Sequence, residues 1–285
     1  MSNQKIAIVT DSSAYIPEEA RRGLNISVIP LWLIWDGKNY QDGIDIEPQA
    51  FYERLKESKT LPTSSQPSAQ EFGLFYQKVA AESKSDAIVS VLVSSRISGT
   101  IASAQAAAAE YPELNIRIVD SLSCAMGLGF MVLTAARAAA EGKSVDEVVA
   151  AAEQMRSRVY MLFVVDTLDY LFKGGRISGG KHLLGTAFNI KPILHFHEGQ
   201  IKPLTQARSK KKAIEQMLEI VRERLDGKKM AEAAVMDVNA PEEGNMVGEM
   251  IKERFGPVGL HRTTVSPVVG THVGPGTIGV AYYGE

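Results

Sequence analysis

Three short segments rich in serine and threonine are the first candidates for chemistry. Thr10–Ser13 follows an apolar strand-like stretch, Pro62–Ser68 leads into a helical pattern, and Ser94–Thr100 lies between a strand-like stretch and a helical one. Hydroxyl groups beside the free amides of a helix N-terminus form a good anion site. Ser98 is predicted to be the N-cap of the helix that follows it, pointing at such a site. Because serine and threonine also cap helices in purely structural roles, the pattern leaves a capping role and an anion-binding role open.

A glycine-rich segment, Gly175–Lys181, fits the spacing of a nucleotide-binding loop. The next residue is His182, where such a loop needs a serine or threonine for magnesium. The residues before it, Asp166–Lys173, carry apolar side chains at helical spacing, whereas that loop follows a strand directly. We therefore expect no nucleotide site here. The alternative is an Arg176 side chain that a glycine-rich turn holds near the surface.

Histidines and a basic segment supply further candidates. His195 and His197 share one face of a predicted strand, but no third ligand has suitable spacing, so no metal site is expected. His272 lies among four glycines in Val269–Gly279, which indicates either a turn where backbone approaches a ligand or a tight turn with an incidental histidine. In the basic segment Arg208–Lys212, the lysines favour a solvated charged turn. Arg208 precedes the predicted N-cap Ser209 and is placed to meet an anion or a partner.

The elements that must position these residues alternate between strands and helices. Near-continuous apolar runs predict strands, first in an alternating strand-and-helix pattern and then with hairpin pairing: Lys5–Val9, Ser27–Ile34, Ala87–Val93, Asn115–Val119, Val159–Val165, Lys191–Phe196, Gln200–Leu204, Ala231–Val238, Gly259–Val265 and Thr277–Tyr283. Helical patterns separate many of them: Pro48–Ser58, Ser68–Ser83, Ser98–Glu110, Leu122–Glu141, Val145–Arg156, Lys210–Arg224 and Pro241–Phe255. The expected fold class is α/β. A mostly parallel N-terminal sheet carries helices on both faces, and a C-terminal α/β domain has a mixed sheet.

The domain boundary is predicted near residue 160, giving an N-terminal domain 1–159 and a C-terminal domain 160–285 that share a cleft. The 285 residues carry a formal net charge of −2, which gives no electrostatic bias toward nucleic acid or an anionic membrane. The one cysteine, Cys124, excludes an internal disulfide and a cysteine-rich zinc site. The apolar runs are too short for a membrane helix or a signal-peptide core, so a cytoplasmic protein without stable membrane insertion is expected.

Eight motifs in order along the chain resemble those of the DegV family of bacterial fatty-acid-binding proteins. They are Val9–Pro17, Ile29–Leu31, Pro62–Pro67, Ser94–Thr100, Val119–Ser121, Gly174–Ser178, Lys191–Ile193 and Gly270–Gly279. The resemblance implies that one long-chain fatty acid lies between the two domains. It also implies a non-catalytic carrier without a cofactor. Its partner is a separate ATP-dependent fatty acid kinase, and the acyl-phosphate product enters phospholipid synthesis.

Site residues carry over from the resemblance one at a time. Ser64 and Ser98 match the hydroxyls that bind the carboxylate, although the family usually has threonine at the position of Ser64. His272 matches a histidine beside the carboxyl group. Arg176 and Arg208 match arginines expected at the kinase or the acyl-phosphate. Thr63 and Ser95 are neighbouring hydroxyls kept as ligand candidates.

Two alternatives to the carrier remain open at this point. A small-molecule phosphotransferase would use Arg176, Lys181 and Arg208 around a phosphate and would turn over nucleotide. A lipid-filled regulatory protein would hold the fatty acid only as a structural filler, so that emptying the cavity leaves partner binding unchanged.

Overall fold

The computed structural model describes residues 5–177 and 190–285 and has an α/β architecture. Its strands are β1 (Ile6–Asp11), β2 (Ile26–Ile29), β3 (Trp32–Trp35), β4 (Lys38–Gln41), β5 (Thr63–Ser65), β6 (Ala87–Leu92), β7 (Ile116–Asp120), β8 (Tyr160–Val164), β9 (Lys191–His197), β10 (Gln200–Ala207), β11 (Met230–Asp237), β12 (Gly259–Thr264) and β13 (Ile278–Gly284). Its α-helices are α1 (Glu18–Arg21), α2 (Pro48–Glu57), α3 (Ala69–Ser83), α4 (Thr100–Glu110), α5 (Ala125–Ala140), α6 (Val145–Arg158), α7 (Asp169–Lys173), α8 (Lys210–Leu225), α9 (Pro241–Phe255) and α10 (Pro267–Val273). Among these described elements, no helix is both long and apolar enough to cross a bilayer.

The first sheet is parallel and four-stranded, in the order β2-β1-β6-β7. Every residue of β1 and β6 is buried, because helices cover both faces of the sheet. Helices α3 and α4 pack on one face, and α5 and α6 pack on the other. This confirms the predicted parallel sheet and explains the continuous apolar runs in its central strands.

A small antiparallel sheet, in the order β4-β3-β5, corrects one sequence-based expectation. The stretch Ser27–Ile34 was predicted to be one strand, but it divides into β2 and β3, which belong to different sheets. Pro30 lies between them and has no amide hydrogen to give to a ladder. The next amide, that of Leu31, donates instead to the Ser12 hydroxyl at 3.0 Å.

The second large sheet is mixed and six-stranded, in the order β10-β9-β8-β13-β11-β12. Only β11 and β12 pair in parallel within it. Glu198 and Gly199 form the tight turn between β9 and β10, as the predicted hairpin required. Helices α8 and α9 cover one face, and the opposite face looks toward the N-terminal half of the chain.

Capping side chains mark the start of three of the long helices described, α3, α6 and α8. Ser144 and Glu147 form a capping box at α6, and Ser68 and Glu71 form a second one at α3. Ser209 caps α8 as expected. Ser98, however, is not the N-cap of α4, because the helix begins at Thr100 with Gly99 as its N-cap.

One apolar core joins the two halves of the chain. It includes residues of β1, β6 and α5 together with residues of β8, β11 and β13. Helix α5 contacts both β1 and β13, so it lies between the two large sheets. The predicted boundary between residues 159 and 160 falls between α6 and β8, with one large sheet before it in the sequence and the other after it.

Candidate functional site

A cavity lies between the parallel sheet and the six-stranded sheet. The atom-free space in this cavity, counted together with the open solvent at its mouth, is about 880 Å³. Among the described residues, its lining comes from both halves of the chain and is mostly apolar: Ser13, Leu31, Ser64, Ser65, Gln66, Val93, Ile97, Ser98, Cys124, Ala125, Met161, Phe163, Arg176, Phe196, Ile201, Met236, Val265, Val268, Val269, His272, Val273, Thr277 and Gly279. A long apolar ligand with a small polar group matches this lining.

The apolar wall is built by alternation along strands. Met161 and Phe163 are two residues apart on β8, so they share one face of the sheet, and Met236 lies on the same face of β11. Phe196 of β9 packs against Phe163, with ring centroids 6.4 Å apart. The thioether side chains make this apolar wall adaptable in shape.

The polar part of the cavity begins with a contact between Ser64 and His272. Ser64 lies on β5, held opposite Leu33 of β3, and His272 lies on α10. The Ser64 Oγ atom is 2.6 Å from His272 Nε2. The glycine-rich segment around His272 was expected to be a turn, but its first part forms α10, capped by the Ser266 side chain. The structure thus brings together two of the sequence-predicted site residues.

The imidazole of His272 is neutral at neutral pH. Burial, with the positive charge of Arg176 as a smaller cause, lowers the pKa of His272 from 6.5 to about 4. Its Nδ1 atom is buried and has no hydrogen-bond partner among the described residues. A Cβ on Gly174 would lie 2.3 Å from this Nδ1 atom, so Gly174 leaves the space in which the ring sits.

Ser98 lies in the loop before α4 and also lines the cavity. Its Oγ atom is 2.8 Å from Thr100 Oγ1 and accepts a hydrogen bond from the Thr100 amide at 3.3 Å. The Gln66 side chain packs against Gly99, where an added Cβ would lie 2.9 Å from Gln66 Nε2. The N-terminus of α4, an eleven-residue helix, therefore lies next to the cavity-lining residues Ser98 and Gln66.

Arg176 adds a cation to the same region. Its Nε atom donates to the Ile97 carbonyl at 3.3 Å, and its guanidinium also donates to the Gly174 carbonyl. Burial lowers the pKa of Arg176 below its usual value, although the group stays charged. These contacts link Ser64 through His272 and Gly174 to Arg176, and Arg176 to Ile97, the residue before Ser98. Several polar groups of the cavity lining are therefore connected through His272 and Arg176.

Three other sequence-predicted site residues lie elsewhere. Ser95 does not belong to the described lining, because Asp120 Oδ2 accepts a hydrogen bond from its hydroxyl at 2.5 Å. Thr63 is exposed on β5 and is also absent from the described lining. Arg208 is exposed just after β10, outside the described lining. The positions of Ser95 and Thr63 argue against direct contact with a ligand in this cavity.

Sequence reasoning missed Asp11 as a residue that shapes the site. Asp11 is fully buried at the end of β1 and accepts hydrogen bonds from the amide and hydroxyl of Ser13 and from the Val93 amide. Burial raises the pKa of Asp11. The residue holds together the ends of β1 and β6, where Ser13 and Val93 line the cavity. An aspartate at the carboxyl end of a predicted parallel strand was the available signal.

The remaining candidates do not form a second site in the described structure. The rings of His195 and His197 stack with centroids 5.6 Å apart, and the described residues hold no cluster that could bind a metal ion. Lys181 and His182 of the nucleotide-loop pattern lie outside the described residues.

Comparison with known proteins places the chain among relatives of similar length. The family model of DegV, described as "Uncharacterised protein, DegV family", matches residues 5–285. A DegV domain-containing protein of Listeria innocua is 36% identical over 281 residues, covering 98% of this chain and 99% of the relative.

Solved structures match over nearly the whole fold. One, described as showing fatty acid binding of a DegV family protein from Thermus thermophilus, has a TM-score of 0.91 at 32% identity, covering 99% of this chain and 100% of the other. Another, DegV of Bacillus subtilis, described as a fatty acid binding protein, has a TM-score of 0.89 at 34% identity, covering 99% and 100%.

Proposed function

This chain belongs to the DegV family, and we propose that it binds one long-chain fatty acid in the cavity between its two large sheets. The proposal extends to a non-catalytic carrier role, in which the bound carboxylate is presented to a separate fatty acid kinase for acyl-phosphate formation. Relatives of similar structure are described as fatty acid binding proteins. The observation that carries the proposal is a mostly apolar cavity whose lining includes the Ser64–His272 contact, Ser98 and Arg176.

The apolar wall would supply most of the affinity. Burying each methylene contributes about 0.8 kcal/mol before the costs of ordering the chain. A long acyl chain therefore binds tightly without a strong polar site. The cavity wall of Met161, Phe163, Phe196 and Met236 offers the surface against which such a chain would pack.

The polar groups would fix the position of the carboxylate. If His272 Nε2–H donates to Ser64 Oγ, the Ser64 hydroxyl hydrogen is free to donate to a carboxylate oxygen. Ser98 and the N-terminus of α4 add a hydroxyl and a favourable dipole for the negative charge. A bound anion next to His272 would raise the pKa of that histidine from its value of about 4.

The two arginines fit a role in the step that follows lipid binding. Arg176 is half-buried beside the polar groups, whereas Arg208 is exposed. Ala207 pairs with Lys191 on β9, and Lys191 Nζ donates to Asp166 Oδ1 at 2.8 Å. Arg208 therefore lies at the same end of the six-stranded sheet as the segment that leads to Arg176, where a partner protein could contact both.

A reconstituted kinase assay tests the carrier role. The protein loaded with palmitic acid is mixed with a purified bacterial fatty acid kinase and ATP, and ADP release is measured. We expect turnover only when protein, lipid and kinase are all present, and loss of turnover in Arg208→Ala with palmitate affinity unchanged. Arg222→Ala, an exposed change on α8, is the matched control. ADP release by the protein alone would contradict the carrier role and favour a phosphotransferase.

A further inference from the structure

On strand β13, Gly279 lines the cavity without a side chain. The residues on either side in sequence, Ile278 and Val280, belong to the core under α8 and α9. Gly279 faces the opposite side, where it is paired with Phe163 of β8 and Met236 of β11. All three of these residues line the cavity. A position without a side chain therefore lies between two large side chains on the cavity floor.

The backbone does not explain this glycine. Gly279 is absent from the positions with positive φ, so an alanine could adopt its conformation. Glycine inside a strand costs stability relative to residues with a side chain, and it often marks a place where a ligand or another backbone approaches closely. Here the side chains of Met161, Phe163 and Met236 approach Gly279, and Gly279 lines the cavity.

An added side chain would narrow the cavity. A Cβ at position 279 would lie 3.3 Å from Met236 Cε, 3.5 Å from Met161 Cε and 3.6 Å from Phe163 Cβ. A methyl group fits after a small shift of the Met236 methyl, because that atom is the end of a flexible side chain. A larger group would either fill the space itself or push Met236 into it.

We propose that Gly279 determines which acyl chains the cavity accepts. This inference rests on the proposed function, fatty acid binding. The hydrocarbon lies over the face of the sheet at Gly279 and contacts its backbone. The flexible side chains of Met161 and Met236 flank it. In this proposal long chains extend past Gly279, whereas short chains end before they reach it.

Binding of a chain-length series tests the proposal. Dissociation constants for decanoic, myristic and stearic acids are measured for the wild type, Gly279→Ala and Gly279→Val. Valine is chosen because it suits a strand. We expect Gly279→Val to weaken stearic acid about tenfold or more, as several methylenes lose their contacts, and decanoic acid by less than about threefold. Gly279→Ala should show the same trend at a smaller size.

Two further variants separate a specific effect from a general one. Gly284→Ala adds a methyl group at the far end of β13, where its distances to Leu225 and Lys228 are similar to those of the methyl in Gly279→Ala. This change should leave the affinities for all three acids unchanged. Met236→Ala combined with Gly279→Val reopens space and should recover most of the affinity for stearic acid. If the wild type binds the acids and Gly279→Val binds each of them with the wild-type affinity, the role of Gly279 is overturned but the proposed function stands. A wild type that binds none of the acids would overturn the proposed function and this inference together.

Discussion

Replacement of Ser64 by alanine tests how the carboxylate is held. The change removes the hydroxyl that contacts His272 Nε2 at 2.6 Å. Because His272 Nδ1 already has no partner among the described residues, the ring would then have no hydrogen bond there. In the proposed complex, the same change removes a donor to the fatty acid carboxylate.

The size of the effect follows from the charge of the ligand. A hydrogen bond to a charged group contributes about 1.5–3 kcal/mol, which corresponds to a rise in Kd of about ten- to 150-fold. His272, whose pKa is about 4, is neutral at neutral pH and does not replace the lost hydrogen bond with a positive charge of its own. We therefore expect Ser64→Ala to weaken palmitic acid binding within that range.

The assay is displacement of a fluorescent fatty acid from purified protein, with two comparison variants. Ser64→Thr keeps a hydroxyl on the same carbon and should bind within a few-fold of the wild type. Thr63→Ala changes the exposed neighbour outside the described cavity lining and should have no effect. An unchanged Kd for Ser64→Ala, or an equal loss in Thr63→Ala, would refute the assignment of the carboxylate to Ser64.

Three further outcomes are expected. Arg208→Ala should keep palmitate affinity but slow the kinase reaction about tenfold or more, and equal losses of binding and turnover would argue against a role at the kinase step. Burial raises the pKa of Asp42 from 3.8 to about 6. The unfolded state therefore loses this proton at a lower pH than the folded state. The stability that protonated Asp42 contributes is lost as pH rises between these two pKa values. Compared with Asp42→Asn, the wild type should lose about 3 kcal/mol of its free energy of unfolding between about pH 3 and about pH 8 in urea titrations, and a flat difference would contradict this. Ser144→Ala should lower the free energy of unfolding by about 1 kcal/mol with lipid affinity unchanged, and a weaker lipid affinity would contradict a purely capping role.

Local chemistry is what made much of the fold predictable from sequence. The capping box at Ser144 and Glu147 depends on residues three positions apart, and the buried parallel strands depend on continuous apolar runs. Both signals lie within a short window. The break at Pro30 is also visible in the sequence, but the apolar run across it predicts one strand.

Long-range contacts explain what sequence could not supply. Ser64 and His272 are 208 positions apart, and only the packing of α10 against β5 brings them together. The resemblance to the family predicts that both residues lie at the carboxylate. Spacing alone does not distinguish a tight-turn role for His272 from a position beside a ligand. Ser95 and Ser98 look equivalent in sequence, yet Asp120 holds the first away from the described cavity lining. The cavity wall depends on which apolar side chains meet across two sheets, and composition does not encode that choice.

Native mass spectrometry of the protein purified without denaturant tests the central claim most directly. The account predicts one bound long-chain fatty acid per chain, identified after organic extraction, and its exchange for added palmitic acid. Protein that carries no lipid and takes up no palmitic acid when it is offered would contradict fatty acid binding by this cavity.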